Sequence, residues 1–233
     1  MKKAIIGVII AIIVVAIVGI GILVVNDFKQ EDILRQEMLE FENLTRAENI
    51  DLDQIDQRIR ELKTTGDYGI LEKAMKDYLA DVVNASVSIA NVLNDERIVN
   101  ALTPENYVED GPEFTQTKQF LEQAKGDMEQ YKTEVLTLLT NEGAMSYIED
   151  KNLDQYYIDL YKEIALSEDT AIEEDNAELE ASLDEAMSII DTESQVINFL
   201  AENKSGWEIQ GENIVFNSEE LQNQYDELVS QIQ

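Results

Sequence analysis

Carboxylates are the most abundant side chains that could do chemistry in this chain, with 49 Asp and Glu residues against 17 Lys and Arg. There is no His and no Cys, so the chain lacks the usual general base, the commonest transition-metal ligand and any thiolate nucleophile. Paired carboxylates can still hydrolyse a glycosidic bond, but among 49 acids some pair always looks plausible. We therefore predict no enzymatic activity, no cofactor and no metal site.

Two acidic clusters come nearest to a calcium site. Asp51, Asp53 and Asp56 have the spacing that opens a calcium-binding loop, but the Gly and the Glu that such a loop requires further along are missing. The second cluster, within residues 173–178, falls in the first turns of a predicted helix, where negative charge complements the helix dipole. We interpret both clusters as features of helix starts.

An apolar and aromatic segment near the C-terminus is the most individual feature of the sequence. Residues 207–216 alternate with period two on each side of Gly211, which suits the first central position of a two-residue hairpin turn. This turn would pair Trp207 with Phe216 and Ile209 with Ile214 on one face. Together with a residue of the last helix they form the predicted interaction or packing cluster: Trp207, Ile209, Ile214, Phe216 and Tyr225.

The single Trp of the chain and a group of tyrosines have two interpretations each. Trp207 either stacks on a ligand or closes the end of a core, and the usual burial of aromatic residues favours the core. Tyr156, Tyr157 and Tyr161 either line a ligand pocket or pack on a helix face. A pocket there would favour a binding function, whereas solid packing would weigh against it.

Helical spacing positions these groups through most of the chain. Apolar residues recur at steps of three and four within residues 71–92, 114–138 and 172–200, with shorter series at 52–62 and 153–164. This pattern is typical of helices that pack at a shallow angle. The third series is interrupted at Glu193 and Ser194, where we expect the helix to bend or to be partly exposed.

Capping residues mark the ends of these helices. Asp51, Thr170 and Asn217 are predicted N-caps, and Thr103 is a predicted cap followed by Pro104 at the first helical position. Residues 64–69 are expected to break one helix before the next begins. The connection 94–112 is longer than most bundle connections and is expected to contain a short helix near Pro104.

The N-terminus carries an unbroken run of 22 apolar or glycine residues, from Ala4 to Val25. As a helix it would span about 33 Å, which matches a hydrocarbon core of about 30 Å. The run is longer than that of a cleaved signal peptide and lacks a small-x-small site. Because Lys2 and Lys3 precede it, the positive-inside rule places the N-terminus in the cytoplasm and the remainder outside.

The predicted fold is all-α, with a small C-terminal β-hairpin. It consists of a transmembrane signal anchor (1–27), an extracytoplasmic antiparallel multi-helix bundle (28–203), and the hairpin with a terminal helix packed on the bundle (204–233). The membrane helix is expected to continue outward as the first bundle helix. A net charge of −32 keeps such a protein soluble, repels nucleic acid and attracts metal cations, polyamines or basic peptides.

Two functions follow from these expectations. The first is a membrane-anchored structural or interaction protein of a bacterial cell envelope, with an envelope protein as its partner. The alternative is an accessory sensory ectodomain that binds a ligand or a cation and acts through a membrane partner, because only about three residues precede the anchor. The oligomeric state is left open.

Overall fold

A computed structural model describes residues 29–45, 51–166, 169–211 and 213–232 of the chain. The predicted membrane anchor, residues 4–25, lies outside these described residues. Among those that are described, no helix combines the length and the apolar character needed to cross a bilayer. The membrane anchor therefore stays a prediction.

Helices dominate the described chain, and the β-structure described is one small hairpin, as predicted. In chain order the elements are α1 Lys29–Thr45, α2 Leu52–Arg60, α3 Gly66–Leu93, α4 Glu96–Val99, α5 Pro104–Glu109, α6 Thr115–Leu138, α7 Asn141–Met145, α8 Gln155–Ala165, α9 Asp169–Glu202, β1 Trp207–Gln210, β2 Asn213–Phe216 and α10 Glu219–Val229, followed by a 3-10 turn at Ser230–Ile232.

The described residues divide into two compact units. Unit 1 contains residues 29–88 and 131–181, and unit 2 contains residues 89–130 and 182–232. Helices α3, α6 and α9 each contribute residues to both units. The hairpin and α10, which were predicted as a region of their own, belong to unit 2.

Unit 1 is built from helices that each turn one apolar face inward. In α1 the side chains of Leu34, Met38 and Phe41 are buried at steps of four and three, the period that places residues on one helix face. The described part of the segment that follows residues 4–25 is thus a packed helix. The predicted series of α3 is confirmed, because its members in this unit are all buried: Leu71, Met75, Tyr78, Val82 and Ala85.

The series predicted for residues 52–62 is only partly right. Asp51 caps α2 as predicted, since its carboxylate accepts a hydrogen bond from the backbone N–H of Gln54 at 3.1 Å, and Ile55 is buried. The helix ends two residues before Leu62, however, and that side chain is 47 % exposed. The next helix begins at Gly66, within the predicted break, with a φ of +62° that glycine adopts without strain.

Unit 2 contains the other confirmed series. The predicted positions of α6 in this unit and the residue before it are buried: Phe114, Thr117, Leu121, Ala124 and Met128. The backbone of Phe114 also adopts the left-handed conformation, with a φ of +53°. This conformation costs a non-glycine residue about 1 kcal/mol or more. Full burial of its ring offsets this cost.

The expected interruption of α9 is wrong. The helix continues through Glu193 and Ser194, and Glu193 is only 3 % exposed. Its position explains the burial, because Glu193 follows Ile190 by three residues and precedes Ile197 by four, so all three lie on the inward face. The acid therefore occupies a core position and does not mark an exposed bend.

The hairpin has the predicted register. Trp207 pairs with Phe216 and Ile209 pairs with Ile214, and Gly211 supplies the positive φ that the turn requires, +68°. Alternate residues of both strands are half-buried. The pattern of period two thus identified both the strands and their pairing.

Two predicted helix starts are displaced, that of α10 by one residue and that of α9 by two. Ser218 caps α10 in place of Asn217, because its hydroxyl accepts a hydrogen bond from the N–H of Leu221 at 3.2 Å. The side chain of Asn217 instead donates to the carbonyl of Ser205 at 3.1 Å. Helix α9 begins one residue before the predicted cap, Thr170.

Candidate functional site

The long connection between α3 and α6 folds into two short helices in unit 2, one of them beginning at Pro104 as predicted. Asp95 starts α4, since its carboxylate accepts the backbone N–H of Arg97 at 2.9 Å. The hydroxyl of Thr103 starts α5 by accepting the N–H of Asn106. Proline at the first position of α5 removes an N–H that would have no helical partner.

Asp110 and Asn106 fix the end of this connection against the start of α6. The Asp110 carboxylate accepts the backbone N–H groups of Gln116 at 3.2 Å and of Thr117 at 2.7 Å. The Asn106 side chain donates to the carbonyl of Ala101 at 2.7 Å and accepts the hydroxyl of Thr117 at 3.2 Å. These bonds hold three consecutive segments in one arrangement: α4 with the residues that follow it, α5, and the start of α6.

The three segments enclose an open cavity of about 530 Å³. This volume lies within the range of about 300–1,000 Å³ that small-molecule sites occupy. The wall is rich in polar side chains. It holds four carboxylates, three amides, two hydroxyls, one guanidinium and one aromatic ring, from Glu96, Arg97, Asn100, Thr103, Glu105, Asn106, Glu109, Asp110, Gln116, Thr117 and Phe120.

The charge of the cavity wall is negative. Its single basic residue, Arg97, is ion-paired at 2.8 Å with Asp95, which lies outside the wall. Hydrogen bonds from the Arg97 side chain hold the pKa of Asp95 below its ordinary value. Within the part of the chain that the structure describes, the carboxylates of Glu96, Glu105 and Glu109 have no ion pair. A concave wall of one charge sign raises the local concentration of ions of the opposite sign.

Arg97 and Phe120 form a cation–π pair in this wall. The guanidinium carbon of Arg97 lies 3.8 Å from the centroid of the Phe120 ring, well within the distance at which the ring quadrupole attracts a cation. The Arg97 side chain is 66 % exposed. The cavity therefore already holds one guanidinium group against an aromatic face.

The predicted cluster at the hairpin is brought together in unit 2. The Trp207 ring stacks on Phe114, with centroids 5.9 Å apart, and meets Tyr107 edge-on at 6.0 Å. Its indole N–H donates to the carbonyl of Leu200 at 2.8 Å. The Trp is half-buried with its polar atom satisfied, as in the closure of a core.

The remaining cluster residues continue this aromatic packing. Phe216 lies 5.1 Å from Tyr225 between ring centroids, and the Tyr225 hydroxyl is 3.1 Å from that of Tyr107. Ile214 is half-buried opposite Ile209. A shallow cleft of about 290 Å³ lies beside the hairpin, lined by Tyr107, Val108, Gly111, Pro112, Lys204, Trp207 and Ile209.

Glu193 is a buried acid that the sequence analysis did not place in a site. Its Oε2 atom has no hydrogen-bond partner among the described residues. Burial raises the pKa of Glu193 to about 8. The pKa of Tyr107 is raised by burial first, then by Tyr225 and by the charge of Glu193. An acid between Ile190 and Ile197 in an apolar series was the sequence signal for this position.

The three tyrosines of α8 lie in unit 1, and their side chains make different packing contacts. Tyr161 is fully buried, and its hydroxyl donates to the carbonyl of Ala144 at 2.7 Å. Tyr156 is 48 % exposed and donates to the carboxylate of Glu31. Its ring meets that of Tyr157 edge-on at 5.2 Å. These contacts are packing contacts and weigh against a tyrosine pocket.

Unit 1 contains a buried ionic network. The ammonium group of Lys76 contacts the carboxylates of Glu37 at 2.8 Å and Glu72 at 2.7 Å, and all three residues are at most 3 % exposed. Glu72 also accepts the backbone N–H groups of Lys63 and Thr64. Because the buried charges are paired, this network is structural.

The acidic clusters considered for calcium have other roles where they are described. Asp51 is occupied as the cap of α2, and the carboxylate of Asp56 pairs with Arg60 at 2.9 Å. Among the described residues no group of three or more acids is placed to hold a metal ion.

The cavity wall was missed by the sequence analysis, although the unusual length of the connection 94–112 was its signal. Its residues meet only when α4, α5 and the start of α6 fold against one another. No protein-family model, no curated protein and no solved structure matches the chain. Its function is therefore inferred from the geometry of the cavity and its surroundings.

Proposed function

We propose that the chain is a membrane-anchored, extracytoplasmic binding protein, and that the cavity of unit 2 binds a small organic cation. The observation that supports this is a cavity of about 530 Å³ with four carboxylates in its wall and one cation that is already paired. The net charge of −32 adds a long-range field of the same sign. A cationic ligand complements both.

An ammonium or guanidinium group suits the chemistry of this wall. Such groups carry several N–H donors and no acceptor, and the wall offers carboxylate, amide and hydroxyl oxygens. Glu105 and Glu109 are four residues apart on α5, so they are neighbours on one helix face, where like charges are unfavourable by a few tenths of a kcal/mol. A bound cation would relieve this repulsion.

Isothermal titration of the full chain in detergent micelles with agmatine tests the proposal. Agmatine carries a guanidinium group at one end and an ammonium group at the other, and xylitol serves as a neutral polyol probe. We expect saturable 1:1 binding of agmatine that weakens as salt is added, because Glu96, Glu105 and Glu109 are exposed and salt screens exposed charges. Absence of saturable binding, or equal binding of xylitol, contradicts a cation site.

A matched pair of double variants locates the binding. The double variant Glu105→Gln with Glu109→Gln removes two charges from the cavity wall, and we expect agmatine binding to weaken about tenfold, equivalent to about 1.4 kcal/mol. The control, Glu202→Gln with Glu227→Gln, removes two exposed charges of unit 2 outside the wall. Equal loss in both variants would mean binding by general charge attraction.

The membrane and its orientation are part of the same proposal. They are supported by the apolar run 4–25 and by Lys2 and Lys3 before it. We expect the full chain to stay with membranes after carbonate washing, and a chain without residues 4–25 to be released. Protease added outside intact cells should digest the domain; its protection there would contradict the orientation.

A second function, docking to an envelope protein, is supported by the cleft beside the hairpin. Val108 is 66 % exposed and lies in the cleft wall with Pro112 and Ile209, so an apolar side chain of a partner would be sheltered there. A photo-crosslinking residue at position 108 in the native membrane should capture one partner. The same residue at Val99, which is 43 % exposed in unit 2, is the control, and equal capture at both would contradict docking at the cleft.

A further inference from the structure

The hairpin of unit 2 has a free edge along β1. Just before the strand, the carbonyl of Gly206 accepts the backbone N–H of Asn217 at 2.9 Å, which shows that this residue turns its backbone toward β2. In an antiparallel ladder, residues that bond to the partner strand alternate with residues that do not. The N–H and C=O groups of Trp207 and Ile209 therefore point away from β2, to the other side of β1.

These outward backbone groups are available for pairing. Among the residues that the structure describes, none forms a backbone hydrogen bond with the outward groups of Trp207 or Ile209. A row of such groups at the edge of a sheet is a template on which another strand can pair. The edge of β1 can thus accept a third strand.

The shallow cleft of about 290 Å³ lies along this same strand. Trp207 and Ile209 line it from β1, and Val108 and Pro112 line it from α5 and the residues that follow. A strand added beside β1 places the side chains opposite Trp207 and Ile209 on the same face as these two, which is the side of the cleft. An edge that offers backbone bonds, next to a cleft that receives alternate side chains, meets the two requirements of strand addition.

The charge of the other face of β1 indicates the chemistry of the added strand. Glu208, between the two residues of the edge, is exposed, and the cation in the cleft wall, Lys204, is already paired with Glu113 at 3.0 Å. A basic residue opposite Glu208 is therefore favoured over an acidic one. The net charge of −32 attracts a basic segment over a longer range.

A second copy of the chain is a poor candidate for this strand. If two β1 edges paired in the antiparallel register that uses both Trp207 and Ile209, the Glu208 side chains of the two copies would lie opposite each other. Like charges in that position are destabilising, and two domains of the same large negative charge repel each other. The charges favour a different, basic partner.

We propose that β1 accepts an extended segment of a partner protein as an antiparallel third strand. Apolar residues of that segment point to the cleft and a basic residue lies opposite Glu208. This inference rests on the second proposed function, docking at the cleft, and is independent of cation binding in the cavity. It adds the mode of binding and the chemistry of the partner segment.

The probe is a synthetic peptide of alternating valine and lysine, about seven residues long, the size of an ordinary strand, and blocked at both ends. In the proposed arrangement, the valines lie opposite Trp207 and Ile209 and donate their N–H groups to the edge, whereas the lysine N–H groups point away. We expect N-methylation of the valines to weaken binding to the full chain at least about tenfold, and N-methylation of the lysines to change it less than about twofold.

Fluorescence anisotropy of the labelled peptides in the presence of the full chain in detergent micelles measures these affinities. All the peptides carry the same charge, so general attraction to an acidic protein cancels in the comparison. Equal weakening by the two modifications, or a stronger effect at the lysines, overturns the proposal.

A matched pair of proline variants tests the edge in the chain itself. Ile209→Pro removes an outward N–H from β1, and Ile214→Pro removes the same group from the cross-strand partner of Ile209, at the opposite edge of the hairpin. Proline is tolerated on edge strands where the missing N–H faces solvent. We expect the first variant to bind the unmodified peptide at least about tenfold more weakly and the second to bind it normally. Equal loss contradicts an edge at β1. If either variant misfolds, the peptide comparison with the unaltered chain decides.

Failure of strand addition and failure of docking give different results. If the photo-crosslinking residue at position 108 captures a partner while methylation of the valines has no effect, docking stands and strand addition is wrong. If neither result is positive, both fail. Agmatine titration of Ile209→Pro should give the affinity of the unaltered chain, because residue 209 does not belong to the cavity wall.

Discussion

The ammonium nitrogen of Lys76 lies 2.7 Å from a carboxylate oxygen of Glu72, one turn away on the same helix, and both side chains are buried. Lys76 is also bonded to Glu37 of α1, and Glu72 to the backbone of residues 63 and 64. The pair therefore joins α3 to two other segments of unit 1. Its charges are tolerated inside the protein because each compensates the other.

Replacing Lys76 with Met should destabilise the protein by about 3–5 kcal/mol, because the buried carboxylate of Glu72 would lose its cation and that of Glu37 would keep only Arg58. Urea unfolding followed by circular dichroism measures the loss. Lys73→Met is the control, since the pair of Lys73 with Asp77 has the same spacing but is exposed, and such pairs contribute about 0.5 kcal/mol or less. Similar losses in the two variants would contradict the role of burial.

Glu72→Gln should alter how stability depends on acid pH. Burial alone would raise the pKa of Glu72, but the hydrogen bonds from Lys76, Lys63 and Thr64 outweigh it and lower that pKa below 4.5. The carboxylate therefore stabilises the fold above its ordinary pKa, and this contribution is lost as the pH falls through the lowered value. The difference in stability between the unaltered chain and Glu72→Gln should therefore be largest near neutral pH.

Unfolding curves collected from about pH 7 down to about pH 2 measure this difference in stability. Asp77→Asn, which removes an exposed partner of Lys73, is the control and should show little change across the same range. A difference between Glu72→Gln and the unaltered chain that does not shrink as acid is added would refute a stabilising carboxylate at this position.

Glu193→Gln should gain stability relative to the unaltered chain as the pH rises. The pKa of Glu193 is raised from 4.5 to about 8 in the folded protein, so between these values the unfolded chain has released the proton that the folded chain still holds. Each pH unit then lowers the stability of the unaltered chain by about 1.4 kcal/mol relative to the variant. The relative gain between pH 4.5 and pH 7 is about 3 kcal/mol.

Chemical unfolding at several pH values tests this gain, with Glu185→Gln as the exposed control on the same helix. The comparison uses only the change with pH in the difference between the free energies of unfolding of Glu193→Gln and the unaltered chain. Any effect of the Gln side chain that is the same at every pH therefore cancels. A difference that stays level between about pH 5 and pH 8 would mean that Glu193 is ionised in the folded protein at neutral pH.

Asp110→Ala should destabilise the start of α6 and also weaken the binding of agmatine in the cavity. The variant loses the acceptor of the N–H groups of Gln116 and Thr117, a cap whose removal costs about 1 kcal/mol. Thermal melting measures the stability and agmatine titration measures the cavity. Glu122→Ala, an exposed acid further along α6, should leave both nearly unchanged, and a loss there as large as in Asp110→Ala would argue against a capping role.

The features that could be predicted from the sequence are those set by local patterns. The buried series Leu71–Ala85 follows from steps of three and four, and the pairing of Trp207 with Phe216 follows from alternation around Gly211. The burial of Glu193 and the formation of the cavity depend instead on residues that are distant along the chain. The carboxyl group of Glu193 is buried by the tertiary packing of unit 2, which no local pattern records.

The position of Trp207 gives the protein a natural optical probe. It is the sole tryptophan of the chain, it lies in unit 2, and its indole is half-buried with Phe114 and Tyr107 against it. Emission excited at the red edge of its absorption therefore comes from unit 2 alone, while the far-ultraviolet dichroism reports on helices of both units. Comparing the two signals during unfolding would show directly whether the units melt as one cooperative body or in separate steps.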